Sequence, residues 1–297
     1  MDFTLDIGYD GHIRLLQLTD FHCGQNMPIW DEAYLEERLL RYIRETINRA
    51  NPDLMIITGD LFHGKLDDQG EIAKKLCNFL DSFAIPWAPI FGNHDRDCQM
   101  GDDGLSSLFA SAKFCLFQKG PEFGHGNYTI GIRQHGKLIR LIAMTDHRGW
   151  FKKPQLDWLK SEMGNAPGFL FSHSATNDFL RAYLAAGYQT EIETAGNPPV
   201  TYEIGKDVPV RNGDFGTKNE VVGALNLFIH EDLKAMKIDG YFSGHVHRVN
   251  TSVLYDGIRY TFGLKTGRLV HNETDPIGGT LITLNGSAFK VEHLYVE

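Results

Sequence analysis

Five times along this chain a short apolar run breaks off into carboxylate, amide or imidazole side chains. Residues 13–18 lead to Asp20 and His22, 54–58 to Gly59-Asp60, 88–91 to Gly92-Asn93-His94-Asp95, 168–171 to Ser172-His173, and 240–242 to Gly244-His245-Val246-His247. Short continuous apolar runs suit strands covered on both faces. Polar groups at a buried strand end are costly unless they are hydrogen-bonded or put to use. The chain must therefore gather several strand ends in one place, as α/β enzymes do when they bind ligands beyond the carboxyl ends of their strands.

The segments between the runs agree with this. Leu35, Leu39, Tyr42, Ile43 and Ile47 recur at helical spacing before Asn51-Pro52, which predicts an amphipathic helix over 31–49. A second helix is expected over 70–83. Residues 127–132 and 138–144 read as a hairpin around Gly136-Lys137, with helices near 155–163 and 177–186 and helical spacing again over 225–236. The end of the chain reads as a meander: 251–255, a turn at Asp256-Gly257, 258–262, then 280–284 and 288–296 around Asn285-Gly286. A chain that begins in βαβ units and ends antiparallel predicts an α/β fold, a four-layer α/β/β/α sandwich of two mixed β-sheets flanked by helices. One domain over 1–297 is expected, with a substrate-side insertion at about 174–223, where Pro198-Pro199 and Asn212-Gly213 interrupt any periodicity.

The formal charge of −9, from 29 basic and 38 acidic residues, disfavours a nucleic-acid partner, since no basic block tracks a phosphate backbone. Two bound divalent ions would bring that sum to about −5 and soften the argument. Cys23, Cys77, Cys98 and Cys115 form no Cys-x-x-Cys pair and read as packing residues in a reducing compartment. No window reaches the ~18 apolar residues of a membrane span, and residues 1–11 lack a signal-peptide core, so a cytoplasmic protein is expected.

Asp20, His22, Asp60, Asn93, His94, His173, His245 and His247 all follow predicted strands and include no thiolate. Carboxylate, amide and imidazole donors argue against a structural zinc cluster and for Mn, Fe or Zn in an open catalytic site. Two residues apart on extended chain, Asp20 and His22 point to one side, as do His245 and His247. Taken singly, Asp60 also reads as a turn or cap residue and His173 as a core histidine; the ordered combination favours metal.

That order, Asp-x-His, Gly-Asp, Gly-Asn-His-Asp, a lone His and Gly-His-x-His, resembles the signature of calcineurin-like metallophosphoesterases from Leu15 to about Thr266. The resemblance implies two divalent or mixed-valence ions: Asp20, His22, Asp60 and His247 around one, with Asp60 bridging to a second held by Asn93, His173 and His245. It implies that His94 is not a ligand but faces the phosphate, with Asp95 behind it fixing its tautomer and raising its basicity. In-line attack by a hydroxide bridging the two ions would follow, without a covalent enzyme intermediate.

His63 stands where purple acid phosphatases of this superfamily carry a tyrosine ligand, so no tyrosinate chromophore is expected. The string 59–63 is similar to DNA-repair nucleases of the superfamily, which keeps a phosphodiesterase or nuclease in view. The segment 263–267, Gly-Leu-Lys-Thr-Gly, is similar to stand-alone microbial phosphatases, and the resulting expectation is a phosphomonoesterase acting on a small phosphorylated substrate. His63, Arg96, His147 and Arg148 are candidate substrate contacts, with surface salt bridging the alternative role for Arg96, His147 and Arg148. A further alternative of another class is an inactive metal-binding scaffold for protein interaction.

Overall fold

The computed structural model describes residues 1–24, 32–63, 69–121, 124–145, 151–164, 166–186, 210–212, 223–224, 227–247, 249–268 and 275–297. His147, Arg148 and most of the expected insertion, residues 187–209 and 213–222, lie outside the described residues.

Two mixed sheets flanked by helices form the framework. The five-stranded sheet has the order β15 (Ala288–Val296), β14 (Ile277–Asn285), β2 (Ile13–Leu18), β3 (Leu54–Thr58), β4 (Trp87–Ile90). Its β2, β3 and β4 run parallel and its β14 and β15 antiparallel. The eight-stranded sheet has the order β1 (Phe3–Ile7), β5 (Tyr128–Gln134), β6 (Lys137–Thr145), β7 (Gly168–Ser172), β11 (Ile238–Ser243), β13 (Ile258–Phe262), β12 (Ser252–Tyr255), β9 (Val210–Asn212). Here β6, β7, β11 and β13 are parallel neighbours. A small parallel pair joins β8 (Ala175–Thr176) to β10 (Gly223–Ala224).

The inner faces of both sheets share one core, in which Leu16, Ile56, Ile130, Ile142, Phe171 and Phe242 are fully buried. The periodic helix 31–49 is a run of α1 (Glu32–Leu35), a π-helical turn over 36–40, and α2 (Arg41–Ala50), whose Tyr42, Ile43 and Ile47 face the five-stranded sheet. It ends at Asn51 in the left-handed conformation, the residue before the proline stop. On the far side of the eight-stranded sheet, α5 (Lys153–Glu162), α6 (Asn177–Ala185) and α7 (His230–Ala235) cover a second core that includes Leu156, Leu159, Phe179, Tyr183, Leu233 and Tyr241. No helix among the described residues is long and apolar enough to cross a membrane.

Several local expectations shift. The β5–β6 turn is His135-Gly136, both left-handed, with Lys137 already paired to Gln134; two positive φ values match the twist of a tight hairpin. Asn285 likewise pairs with Ala288, leaving Gly286-Ser287 as the turn. Of the described residues 227–236, only His230–Ala235 is helical, because Ile229 ahead of it is non-helical and gives its amide to Asp178 Oδ2. Periodicity also missed β1, which pairs with β5, and α4 (Gly101–Ser111). Gly101 and Gly104 weaken the helical signal of α4, while Leu105 and Phe109, four apart, anchor it in the core.

Candidate metal centre

The predicted polar clusters converge because their strands are neighbours. Asp20 and His22 follow β2, Asp60 follows β3, and Asn93 and His94 follow β4, three adjacent parallel strands. His173 follows β7, and His245 and His247 follow β11, adjacent parallel strands of the other sheet that end level at Ser172 and Ser243. The loops after β2 and β3 continue side by side: Asp20, His22 and Cys23 give their amides to the carbonyls of Gly59, Asp60 and Leu61.

Asp20, His22, Asp60 and His245 all have left-handed backbone, with φ of 55°, 49°, 50° and 69°. Non-glycine residues pay strain there, of order 1–3 kcal/mol each, and such strain collects at functional sites. The glycines nearby are needed for closeness. A Cβ on Gly92 would meet Asp60 Oδ1 at 2.1 Å, and one on Gly244 would meet Thr19 Oγ1 at 2.1 Å.

Two donor groups result. Asp20, His22, Asp60 and His247 place one ligand atom each within 4.8 Å of the others, and so do Asp60, His173 and His245. Asp60 belongs to both. Its Oδ1 accepts the His94 amide at 2.8 Å, leaving Oδ2 at 3.3 Å from His22 Nε2 and 3.4 Å from His173 Nε2. That oxygen is buried and receives no well-formed hydrogen bond.

The remaining contacts also ask for a cation. His173 Nδ1 can only donate to the carbonyl of Thr58, at 2.7 Å, which fixes the ring and turns Nε2 towards the centre. That Nε2 lies 3.0 Å from Asn93 Oδ1. The two Nε2 atoms of His22 and His247 lie 3.1 Å apart, and His247 Nε2 is 3.1 Å from Asp20 Oδ1. The other Asp20 oxygen accepts from Thr19 Oγ1 and the His245 amide, so the carboxylate is aimed from behind. The donor set therefore fits hard-to-borderline divalent ions.

Electrostatics follow from burial. Burial alone would raise the Asp20 carboxyl, but His247 and His22 outweigh it and hold it well below the usual carboxylate range. In Asp60 burial is likewise outweighed, by His173 and His22, and its carboxyl is lowered too. Burial lowers His22 and, together with His173, brings His245 down to about 4. Both rings are thus neutral and ligand-ready at pH 7.

His94 is close to this set without belonging to either donor group. Its ring centroid lies 5.1 Å from that of His22 and 4.8 Å from that of His63. Asp95 does not stand behind it. The Asp95 carboxylate accepts the amides of Gly92 at 2.7 Å and Phe62 at 3.0 Å, while His94 Nδ1 has no partner. His94 and Asp95 enter a 3₁₀ turn, and successive side chains there diverge. Asp95 ties the β4 loop to the β3 loop.

Arg96 is also differently employed from a free phosphate clamp. It pairs with Asp102 at 2.6 Å, its guanidinium lies 5.1 Å from the Phe91 ring centroid, and its side chain is 8% exposed. With Asn93, Asp97, Met100, Asp102, Asp103 and His125 it lines a cavity of about 600 Å³ beside the donor groups. His63 reaches the centre through its contact with His94. The supporting residues Thr19 and Thr58 escaped sequence reasoning; they sit immediately before Asp20 and Gly59, but nothing in their spacing marks them.

Comparison with known proteins adds a family. A profile described as calcineurin-like phosphoesterase matches residues 13–249. The chain is 24% identical over 190 residues to a protein of Arabidopsis thaliana named probable inactive purple acid phosphatase 28, covering 51% of this chain and 48% of that one. It is 33% identical over 101 residues to a probable cyclic nucleotide phosphodiesterase of Psychrobacter arcticus, covering 32% of this chain and 35% of that one. The chain thus matches about half of the first relative and about a third of the second. In fold it is similar to a dimetal phosphatase from Danio rerio, with a TM-score of 0.56, 12% identity and 95% of each chain covered.

Proposed function

This chain belongs to the calcineurin-like phosphoesterase family, and from that footing we propose that it hydrolyses phosphate esters at a centre of two divalent ions, with small phosphomonoesters as substrates. The observation that carries this is Asp60, whose Oδ2 faces His22 on one side and His173 on the other. One carboxylate oxygen between two groups of donors is what a shared ligand requires.

Ions held there, whether Mn, Fe or Zn, would lower the pKa of water and draw off charge building on the phosphoryl oxygens. The chain's own residues do the rest. Asp20, His22 and His247 with Asp60 form one cradle, and Asn93, His173 and His245 with Asp60 the other. His94, held by its amide on Asp60, sets its imidazole beside His22 and His63, where it would donate to a phosphoryl oxygen or to the departing alkoxide. The cavity bordered by Asn93 gives a small leaving group room beside the centre.

A diesterase reading is favoured by one observation, His63 against His94, together with the relative named a cyclic nucleotide phosphodiesterase. A second imidazole beside the first supplies another proton donor for a poor leaving group. Against a metal-binding scaffold, to which a relative named inactive draws attention, stands the gathering of every expected donor with His94.

Assays of the Mn-loaded protein with p-nitrophenyl phosphate, bis-p-nitrophenyl phosphate and single-stranded DNA separate the three. Turnover of the first above the others is the expected result; a preference for the second or third makes it a diesterase, and inactivity on all with metal bound leaves the scaffold.

A further inference from the structure

We infer that the segment 263–267, and Thr266 above all, positions the first donor group by clamping the loop that carries Asp20. The inference rests on the two-ion reading above and goes beyond it to a residue outside both donor groups.

The segment follows directly on β13 of the eight-stranded sheet, and the next strand in the chain, β14, belongs to the five-stranded one. It touches two of the three stretches that carry the first donor group, those after β2 and β11. The Gly263 amide donates to the Ser243 carbonyl at 2.8 Å, two residues before His245. Thr266 then grips Thr19 twice: its amide donates to the Thr19 carbonyl at 2.9 Å, and its hydroxyl oxygen accepts the Thr19 amide at 3.1 Å. The Gly267 amide donates to the Asp20 carbonyl at 3.2 Å.

Both backbone groups of Thr19 and the carbonyl of Asp20 are therefore held by two consecutive residues. This matters because Asp20 is left-handed, with φ of 55°, a conformation that persists only where its surroundings over-determine it. Closeness is built in, since a Cβ on Gly267 would meet the Phe21 carbonyl oxygen at 2.2 Å. The clamp is itself anchored from behind. Lys265, 1% exposed, pairs with Asp275 at 3.2 Å, and its carbonyl accepts the Gly278 amide at 3.0 Å. Leu264 gives its amide to Thr280 Oγ1 at 3.0 Å.

The first donor group draws Asp20, His22 and Asp60 from one sheet and His247 from the other, whereas Thr266 makes none of these contacts with Asn93 or His173. Loss of the clamp should therefore weaken one ion and spare its neighbour. Thr266→Val keeps the shape and removes the acceptor for the Thr19 amide.

The test is Mn titration by calorimetry and electron paramagnetic resonance in two single-group backgrounds. In His245→Ala, which retains the first group, adding Thr266→Val should weaken Mn about 10–100-fold, and adding Thr266→Ser instead should not. In His247→Ala, which retains the second group, Thr266→Val should leave Mn affinity unchanged. Equal loss in both backgrounds, or loss in neither, overturns the clamp while leaving the two-ion reading intact; failure of both backgrounds and of wild type to bind Mn overturns both. Should Thr266→Val not fold, hydrogen exchange on the wild-type protein decides. Mn must slow the amides of Thr19, Thr266 and Gly267 selectively, and unchanged rates there with Mn bound overturn the inference.

Discussion

His94 donates its backbone N–H to Oδ1 of Asp60 at 2.8 Å. The residue that offers an imidazole to the centre thus also turns the carboxylate, so that Oδ2 is the oxygen left facing both donor groups. Backbone and side chain of His94 serve different ends, and substitution separates them.

His94→Ala keeps the amide and removes the ring. Metal content by elemental analysis should stay near two ions per chain, while kcat falls about 10²–10⁴-fold, the usual worth of a proton donor. Asn93→Ala should do the reverse, weakening the ion beside His173 first. An emptied metal position in His94→Ala would make it a ligand.

Asp60→Asn retains an acceptor for the His94 amide but loses the shared negative charge. Both ions should weaken, by at least the ~10–100-fold typical of lesser changes around a metal, and activity should fall with them. A variant that binds two ions as tightly as wild type would remove Asp60 from the bridging role.

Asp95 carries a pH signature. Burial, with Asp60 beside it, pushes its carboxyl up from 3.8 to about 7. Between about pH 4 and 7 the folded state then keeps a proton that the unfolded chain has released, so this contribution to stability is present at low pH and is lost as pH rises through that window. Thermal melts of metal-free protein should show wild type losing stability relative to Asp95→Asn from pH 4 to 7, with the gap flat above about 8. A gap that widens in the opposite direction would contradict the shift.

Attack by water without a covalent intermediate is a single displacement. Hydrolysis of a chiral phosphorothioate ester in labelled water should invert configuration at phosphorus, as phosphorus NMR of the product reports. Retention would require a nucleophile from the chain.

Much of this centre is written in the sequence because a parallel strand leaves its mark twice, as an apolar run and as the polar residues that stop it. The five runs place Asp20, Asp60, Asn93, His173 and His245 at strand ends, and neighbouring strands bring those ends together. Spacing says nothing, however, about where a side chain turns after a bend. Asp95 follows His94 directly, yet the 3₁₀ turn sends its carboxylate to the Gly92 and Phe62 amides. For Arg96 the sequence offers a phosphate clamp and a surface salt bridge alike, and its ion pair is nearly buried because α4, hidden by Gly101 and Gly104, brings Asp102 beside it. The hold of Thr266 on Thr19 spans 247 positions and has no local signal at all.

His22 and His247 face each other across 225 positions of sequence. A growing polypeptide has no first cradle until the stretch after β11 has been made. At about 5–20 residues per second, the Asp20 loop leaves the ribosome on the order of ten seconds or more before its partner exists. Contacts so far apart in sequence are slow to close and form late in folding. Both donor groups are therefore completed only by the synthesis of Gly244 to His247, which supplies the last donor of each.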